Sequence, residues 1–382
     1  MKIDYNRISQ AQELMKKNKF IGIMIMNHDD YRYFFEKTWV QPRAIIPALG
    51  EPIFICSKSE ERSLREKIGN DTRVQIWTNV GEQMIDVKKI FQKIAIDPEI
   101  QKIIRENEGK PKVGMQLFFN TPAFLVDMFK SINKEVNLLS SDPIMDELRM
   151  VKDEKEIEFL KKAQEIACLG MDKARELLKP GVSGHEIATE TLYTMMKAGA
   201  EGTSTPMHIN IGYESCWLHG KTSKEKIKTG DIVVIDLTPQ YNGYCANLAR
   251  TFIVGSYKED QKKLIDTYLE MKEETRKNLM PGATPKNLDD IGAEICKTNG
   301  LEEYHINGIS HGIGLRFEET PASTIVSAHR IVKLKENMTV TIGHTILADP
   351  DVGGVRFEDI YRVTQNGGEI LCNYPLDKWL VN

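Results

Sequence analysis

The sequence has no Cys-x-x-Cys pair, no marked excess of either charge and no apolar run long enough to cross a bilayer. Each absence removes a class of protein. The six cysteines (Cys56, Cys168, Cys216, Cys245, Cys296 and Cys372) lie far apart, which excludes a zinc ribbon or a dense disulfide framework and predicts a reducing, cytoplasmic setting. Lys plus Arg number 51 against 55 Asp plus Glu, a formal charge of -4, too balanced to supply the basic field that nucleic acid demands. The best apolar run, residues 20–26, is strand-sized, and Met1-Lys2-Ile3-Asp4-Tyr5 lacks the apolar core of a signal peptide, so no membrane segment is expected. What is present, 41% hydrophobic and 28% charged residues over a length of 382, fits a soluble globular chain of two or three domains.

Up to about residue 145, short apolar runs alternate with amphipathic segments. Residues 20–26, 44–48, 53–56, 73–77 and 112–115 read as strands, with helices over 57–68 and 84–94, which predicts an α/β layer. After the turn Leu139-Ser140-Ser141-Asp142-Pro143 the pattern shifts to long helices and hairpins, so the expected domains are residues 1–147 and 148–382. In the second, Ile157, Leu160, Ala163, Ala167, Ala174 and Leu178 recur at helical spacing behind Asp153, a capping residue followed by Glu154 and Glu156. A helix over 184–197 comes next, then strands over 231–237 and 244–254 around the hairpin signal Gln240-Tyr241-Asn242-Gly243. A helix over 259–279, another helix, and strands over 338–342 and 355–363 repeat that order. Met280-Pro281-Gly282-Ala283-Thr284 echoes Lys179-Pro180-Gly181-Val182-Ser183. Two such halves predict an antiparallel sheet backed by helices, with a site where the hairpins meet.

Several polar residues are embedded in these apolar strands. Asp236 follows Val233-Val234-Ile235, Asn247 lies across its hairpin, and Glu358 sits in Val355-Arg356-Phe357-Glu358-Asp359-Ile360. Carboxylates are seldom buried unless paired or metal-bound. His311, in Gly308-Ile309-Ser310-His311-Gly312-Ile313-Gly314-Leu315, is flanked by glycines that allow close approach. Singly, each also reads as a buried group satisfied by a neighbour or a strand-end residue in water; as a set they are metal-ligand types.

With these residues in view, the chain resembles the prolidase, aminopeptidase P, methionine aminopeptidase and creatinase family. The resemblance rests on residues 148–157, 212–219, 230–252, His311-Gly312-Ile313-Gly314-Leu315 with Glu319 and Pro321, and Gly354-Val355-Arg356-Phe357-Glu358-Asp359. It implies an α/β creatinase/prolidase-like amino-terminal domain and an α+β pita-bread catalytic domain, a pseudo-twofold antiparallel sheet backed by helices. A homodimer that hydrolyses a C–N bond of a small peptide or amide is implied as well, on the pattern of Xaa-Pro dipeptidases. Active peptidases of the family hold two divalent metals through Asp, Asp, His, Glu and Glu, positions that correspond here to Asp236, Asn247, His311, Gly343 and Glu358. Two have changed: a neutral amide bridges cations poorly, and Gly343 offers no ligand. Two remaining carboxylates balance only one dication. The expectation is at most one ion of the Mn, Co, Zn or Fe kind on Asp236, His311 and Glu358 with the Asn247 oxygen, or none. His344 adjoins the lost glutamate, but strand alternation turns it to the opposite face unless the strand bulges.

The resemblance assigns further roles. His219 matches a histidine that contacts the reacting amide or carries the proton, a role suited to imidazole. Glu318 stands where prolidases carry a histidine near the metal or substrate, and His208, in Pro206-Met207-His208-Ile209, reads as a pocket or core residue. Arg356 joins the polar set that fold stability alone does not require. Arg43, in Trp39-Val40-Gln41-Pro42-Arg43, falls where related enzymes project an arginine into the partner subunit's site and would clamp a substrate carboxylate; a surface arginine at a strand start is the other reading. His28, His185, His305 and His329 read as structural or exposed. Three functions stay open: the prolidase-like hydrolase, a metal-independent creatinase-like hydrolase of a small cationic amide using His219, and a catalytically inactive binding module. Creatine itself is disfavoured, because Ala249 stands where creatinase carries a glutamate before the arginine.

Overall fold

The computed structural model describes residues 3–37, 43–69, 72–79, 83–118 and 121–381. The chain divides into two compact units, Met1–Arg149 and Met150–Asn382.

In the first unit the order begins α1 (Tyr5–Lys17), β1 (Phe20–Ile25), α2 (His28–Phe35), β2 (Ala44–Pro47), β3 (Ile53–Ser57), α3 (Glu61–Ile68) and β4 (Val74–Trp77). It continues with α4 (Gln83–Ala95), α5 (Pro98–Arg105), β5 (Lys112–Met115), α6 (Ala123–Ile132), β6 (Asn137–Ser140) and α7 (Asp142–Arg149). The strands form one mixed sheet in the order β4-β3-β2-β1-β5-β6, parallel at β1–β5, β3–β4 and β5–β6. All six residues of β1 are buried, as expected of a central strand covered on both faces. Arg149 at the end of α7 is buried against α2, with Nη1 donating to Asp30 Oδ1 at 2.6 Å and Asp29 Oδ2 at 3.3 Å.

The second unit opens with α8 (Glu154–Glu176), α9 (Gly184–Lys197), β7 (His208–Ile211), β8 (Ile232–Leu237), β9 (Gln240–Tyr241), β10 (Tyr244–Cys245) and β11 (Leu248–Val254). There follow α10 (Glu259–Lys277), α11 (Pro285–Thr298), β12 (Thr339–Ile342), β13 (Leu347–Asp349), β14 (Gly353–Val355), β15 (Asp359–Thr364), β16 (Gly367–Ile370) and β17 (Leu380–Val381). Asp153 caps α8 reciprocally with Glu156, and Ser183 caps α9 with Glu186. One sheet runs β17-β11-β8-β7 and another β12-β15-β16. The antiparallel expectation holds apart from β17, which pairs parallel with β11. Alternation along β8 sends Val233, Ile235 and Leu237 into a core with α8 and α9, and Ile232 and Val234 into a core with α10 and α11. Asp236 continues the second row.

Two strands expected to be continuous are broken, both at site residues. The 244–254 run is interrupted at Ala246 and Asn247, where the Gln164 side chain of α8 accepts from Asn247 N (3.2 Å) and donates to Asn247 O (3.1 Å). The 355–363 run is interrupted over 356–358, whose backbone bonds instead to β11: Arg356 N donates to Thr251 Oγ1 at 2.8 Å and Glu358 N to Ala249 O at 3.0 Å.

Candidate functional site

The second unit brings several of the sequence-predicted residues into one lateral row. His208 pairs with Asp236, Asp236 with Ala249, and Ala249 forms an antiparallel bridge with Glu358. Directly paired residues send their side chains to the same face. His208, Asp236 and Glu358 therefore share a face, with Ala249 between the two carboxylates.

His311 joins them from a loop held beside β12, where Thr341 N donates to His311 O at 2.8 Å. Its Nδ1 lies 3.0 Å from Gly312 O, so the proton resides there and Nε2 is left as an acceptor. Nε2 has no hydrogen-bond partner and stands 3.6 Å from Glu358 Oε1.

His344 is where the alternation rule fails. The chain leaves β12 at Ile342, and Gly343 adopts a φ of 109°, a conformation that side chains rarely take. The turn brings His344 to the Glu358 side, with Nδ1 3.6 Å from Oε1. Backbone anchors fix it there: Tyr268 Oη of α10 lies 2.7 Å from the carbonyls of both Gly343 and Thr345, Lys272 Nζ donates to Ile342 O at 3.1 Å, and Arg356 Nη2 donates to His344 O. A Cβ at position 343 would lie 1.9 Å from Phe357 O, so this backbone leaves no space for a side chain.

Asp236 is hydrogen-bonded to both Asn247 and Arg356. Asp236 Oδ1 accepts from Asn247 Nδ2 at 3.0 Å and Oδ2 from Arg356 Nη1 at 3.1 Å, so both carboxylate oxygens are engaged. Asn247 Oδ1, fully buried, has no donor. The close group that geometry singles out among the described residues is His311, His344 and Glu358, with ligand atoms within 4.8 Å of one another.

The remaining candidates extend from this group. Ring centroids run from His311 to His344 at 4.8 Å, on to His219 at 5.4 Å, and from His219 to His208 at 6.0 Å. His311 and His344 are buried, His208 is half-buried and His219 is exposed, so this file of imidazoles leads from the interior to solvent. Glu318 is half-buried and accepts from the Thr324 hydroxyl. Arg43 belongs to the first unit, half-buried just before β2, with burial lowering its pKa. Residues 39–42 of its motif lie outside the described residues. His28 and His185 are exposed, and His329 Nδ1 accepts from Ala322 N at 3.1 Å.

Burial and charge set the electrostatics. Burial alone would raise the Glu358 pKa, but His311, His344 and Arg356 outweigh it and hold the carboxyl well below its ordinary range. Burial pushes Asp236 up to about 7 against the pull of Arg356. Burial brings His344 and His208 down to about 4, leaving neutral imidazoles at neutral pH. His311 goes the other way: the charges of Glu318 and Glu358 override burial and raise it.

The three-donor group passes a physical test for one metal ion. A buried carboxylate with neither oxygen partnered calls for a cation. At 3.6 Å the two imidazole nitrogens are too far from Oε1 for hydrogen bonds. That spacing is close to the roughly 3.4 Å expected between ligands about 2.1 Å from a tetrahedral ion. A second ion finds no comparable group among the described residues.

Residues 158–365 match the model of metallopeptidase family M24, and residues 7–151 the creatinase/prolidase N-terminal domain. The chain belongs to metallopeptidase family M24. An Xaa-Pro dipeptidase of Pyrococcus horikoshii is 37% identical over 371 residues, covering 97% of this chain and 98% of the relative. Among solved structures, the prolidase from Pyrococcus horikoshii OT3 superposes with a TM-score of 0.82 at 26% identity, covering 97% of this chain and 99% of the other. The X-Pro aminopeptidase from Thermotoga maritima gives a TM-score of 0.79 at 25% identity over 98% and 99% of the two chains. The family resemblance and the pita-bread fold expected from the sequence are thereby established, and membership of a metallopeptidase family implies a divalent metal. Sequence reasoning left the entry of His344 into this M24 site conditional on a bulge in its strand. The signal was present in Gly343, the one residue type that lets a strand end in this conformation. No helix among the described residues is long and apolar enough to cross a membrane.

Proposed function

We propose that this protein hydrolyses the C–N bond of small peptides of the Xaa-Pro kind, as a cytoplasmic homodimer, with one divalent ion at most in place of the pair that family peptidases hold. The observation that carries this reading is Glu358, fully buried with both oxygens unpartnered, between two imidazoles whose facing nitrogens are also unpartnered. An ion bound there would polarise the substrate carbonyl and acidify a water. His219, the exposed member of the imidazole file, is positioned to pass a proton to the leaving nitrogen as water oxygen bonds to the carbonyl carbon and the C–N bond breaks. Arg356 fixes Asp236 and the His344 carbonyl, and Glu318 and His208 border the same space. Arg43 would clamp the substrate carboxylate in the partner subunit's site.

His219→Ala is expected to lower kcat/KM on Xaa-Pro dipeptides by about 100- to 10,000-fold, the usual contribution of a positioned proton carrier. Steady-state kinetics with and without chelator make the test. Activity indifferent to chelation would favour the metal-independent hydrolase, and silence across Xaa-Pro dipeptides, creatine and related amides would favour the binding module.

A further inference from the structure

We infer that His344 has taken over the role of the lost glutamate, so that His311 Nε2, His344 Nδ1 and Glu358 form a single nitrogen-rich metal seat selective for zinc- or cobalt-like ions over manganese, magnesium and calcium. The inference rests on the site being metal-dependent, and it goes beyond the proposed activity by naming the ligands, the number of ions and the class of metal.

Three observations lead to it. The first is the set of orphaned atoms: His311 Nε2, His344 Nδ1 and both Glu358 oxygens are buried with no hydrogen-bond partner. Such groups are costly unless a cation completes them. The second is the backbone at position 343, whose positive φ converts an outward position into an inward one and leaves the site with an imidazole where a carboxylate ligand is missing. The third is the commitment of Asp236. Arg356 and Asn247 each donate to one of its oxygens, so a guanidinium already supplies positive charge beside that carboxylate and reduces the call for a second dication. Two imidazoles and one carboxylate favour zinc and cobalt, whereas manganese, magnesium and calcium prefer oxygen-rich surroundings. Asn247 Oδ1, the other orphaned oxygen, is a candidate fourth donor.

The test reads metal rather than turnover. Full-length protein, stripped with chelator and dialysed, is titrated with cobalt(II) while its visible absorption is followed, and zinc and manganese affinities are measured by competition. Expected are saturation at one equivalent, zinc at least about 100-fold tighter than manganese, at least about 100-fold weaker zinc binding in His344→Ala, and affinity within about threefold of wild type in Asp236→Asn. His344→Glu, which keeps a ligand if the alanine variant fails to fold, should move the preference towards manganese. Two equivalents, zinc affinity unchanged in His344→Ala, loss of binding in Asp236→Asn, or an unaltered zinc-to-manganese ratio in His344→Glu would each overturn the inference. Metal binding as described without peptide cleavage would sink the proposed function alone; cleavage with a two-ion site would sink this inference alone.

Discussion

A Gly343→Glu variant, which returns a carboxylate to the position where active family peptidases carry one, is expected to lose about 2–6 kcal/mol of stability and gain no second metal. The φ of 109° strains any residue with a Cβ, at about 1–3 kcal/mol. The atom would also lie 1.9 Å from Phe357 O and 3.0 Å from Glu358 Cα, so either the turn or the segment carrying Glu358 must shift, which adds a similar overpacking cost. Gly343→Ala separates the two effects, since it carries the backbone and Cβ penalty without the charge. Urea unfolding and metal content per chain check both variants. A glutamate variant as stable as the parent and holding two ions would show that the loss at 343 is a simple deletion, not a rebuilt turn.

Asp359→Ala should be as damaging by a different route, costing about 3–5 kcal/mol as the removal of one member of a buried ion cluster does. Asp359 pairs with Arg250 Nη2 at 2.8 Å and Lys272 Nζ at 2.9 Å, and all three side chains are at most 2% exposed. Without it two cations remain in the interior with carbonyls and the Tyr361 hydroxyl as acceptors but no carboxylate to balance their charge. Arg250 also donates to the carbonyls of Ala249 (2.8 Å), Glu358 (3.1 Å) and Tyr374 (2.8 Å), so the cluster holds the backbone on which Glu358 is mounted. The surface pair Lys286–Asp290, at 2.7 Å, has a similar length but stands in water, and Lys286→Ala should leave the unfolding midpoint nearly unchanged. An Asp359→Ala midpoint shift no larger than that of Lys286→Ala would refute the argument.

The sequence disclosed the scaffold because the scaffold is built on local pattern. The alternation of Val233, Ile235 and Leu237 against Ile232 and Val234 marks β8, and the reciprocal cap at Asp153 and Glu156 marks α8. The site lies where local pattern gives way to distant partners. Asn247 occupies a break made by Gln164, a residue 83 positions earlier, and Glu358 occupies a break made by a bridge to Ala249. Period-two reading turns His344 to the far face unless the strand bulges, and a glycine with positive φ ends that strand instead. The engagement of Asp236 by Arg356 was equally hidden, since no spacing rule reports which cation reaches a carboxylate 120 residues away.

The bridge between Ala249 and Glu358 also joins the two halves of the second unit, because β11 belongs to one sheet and residue 358 leads into β15 of the other. Each donates its N–H to the other's carbonyl, at 3.1 and 3.0 Å, and neither residue is exposed. Amide protons so placed exchange with solvent deuterium only when the seam opens. The deuterium uptake of peptides spanning these two residues would thus time the parting of the halves, and a metal ion seated on Glu358 would slow that clock.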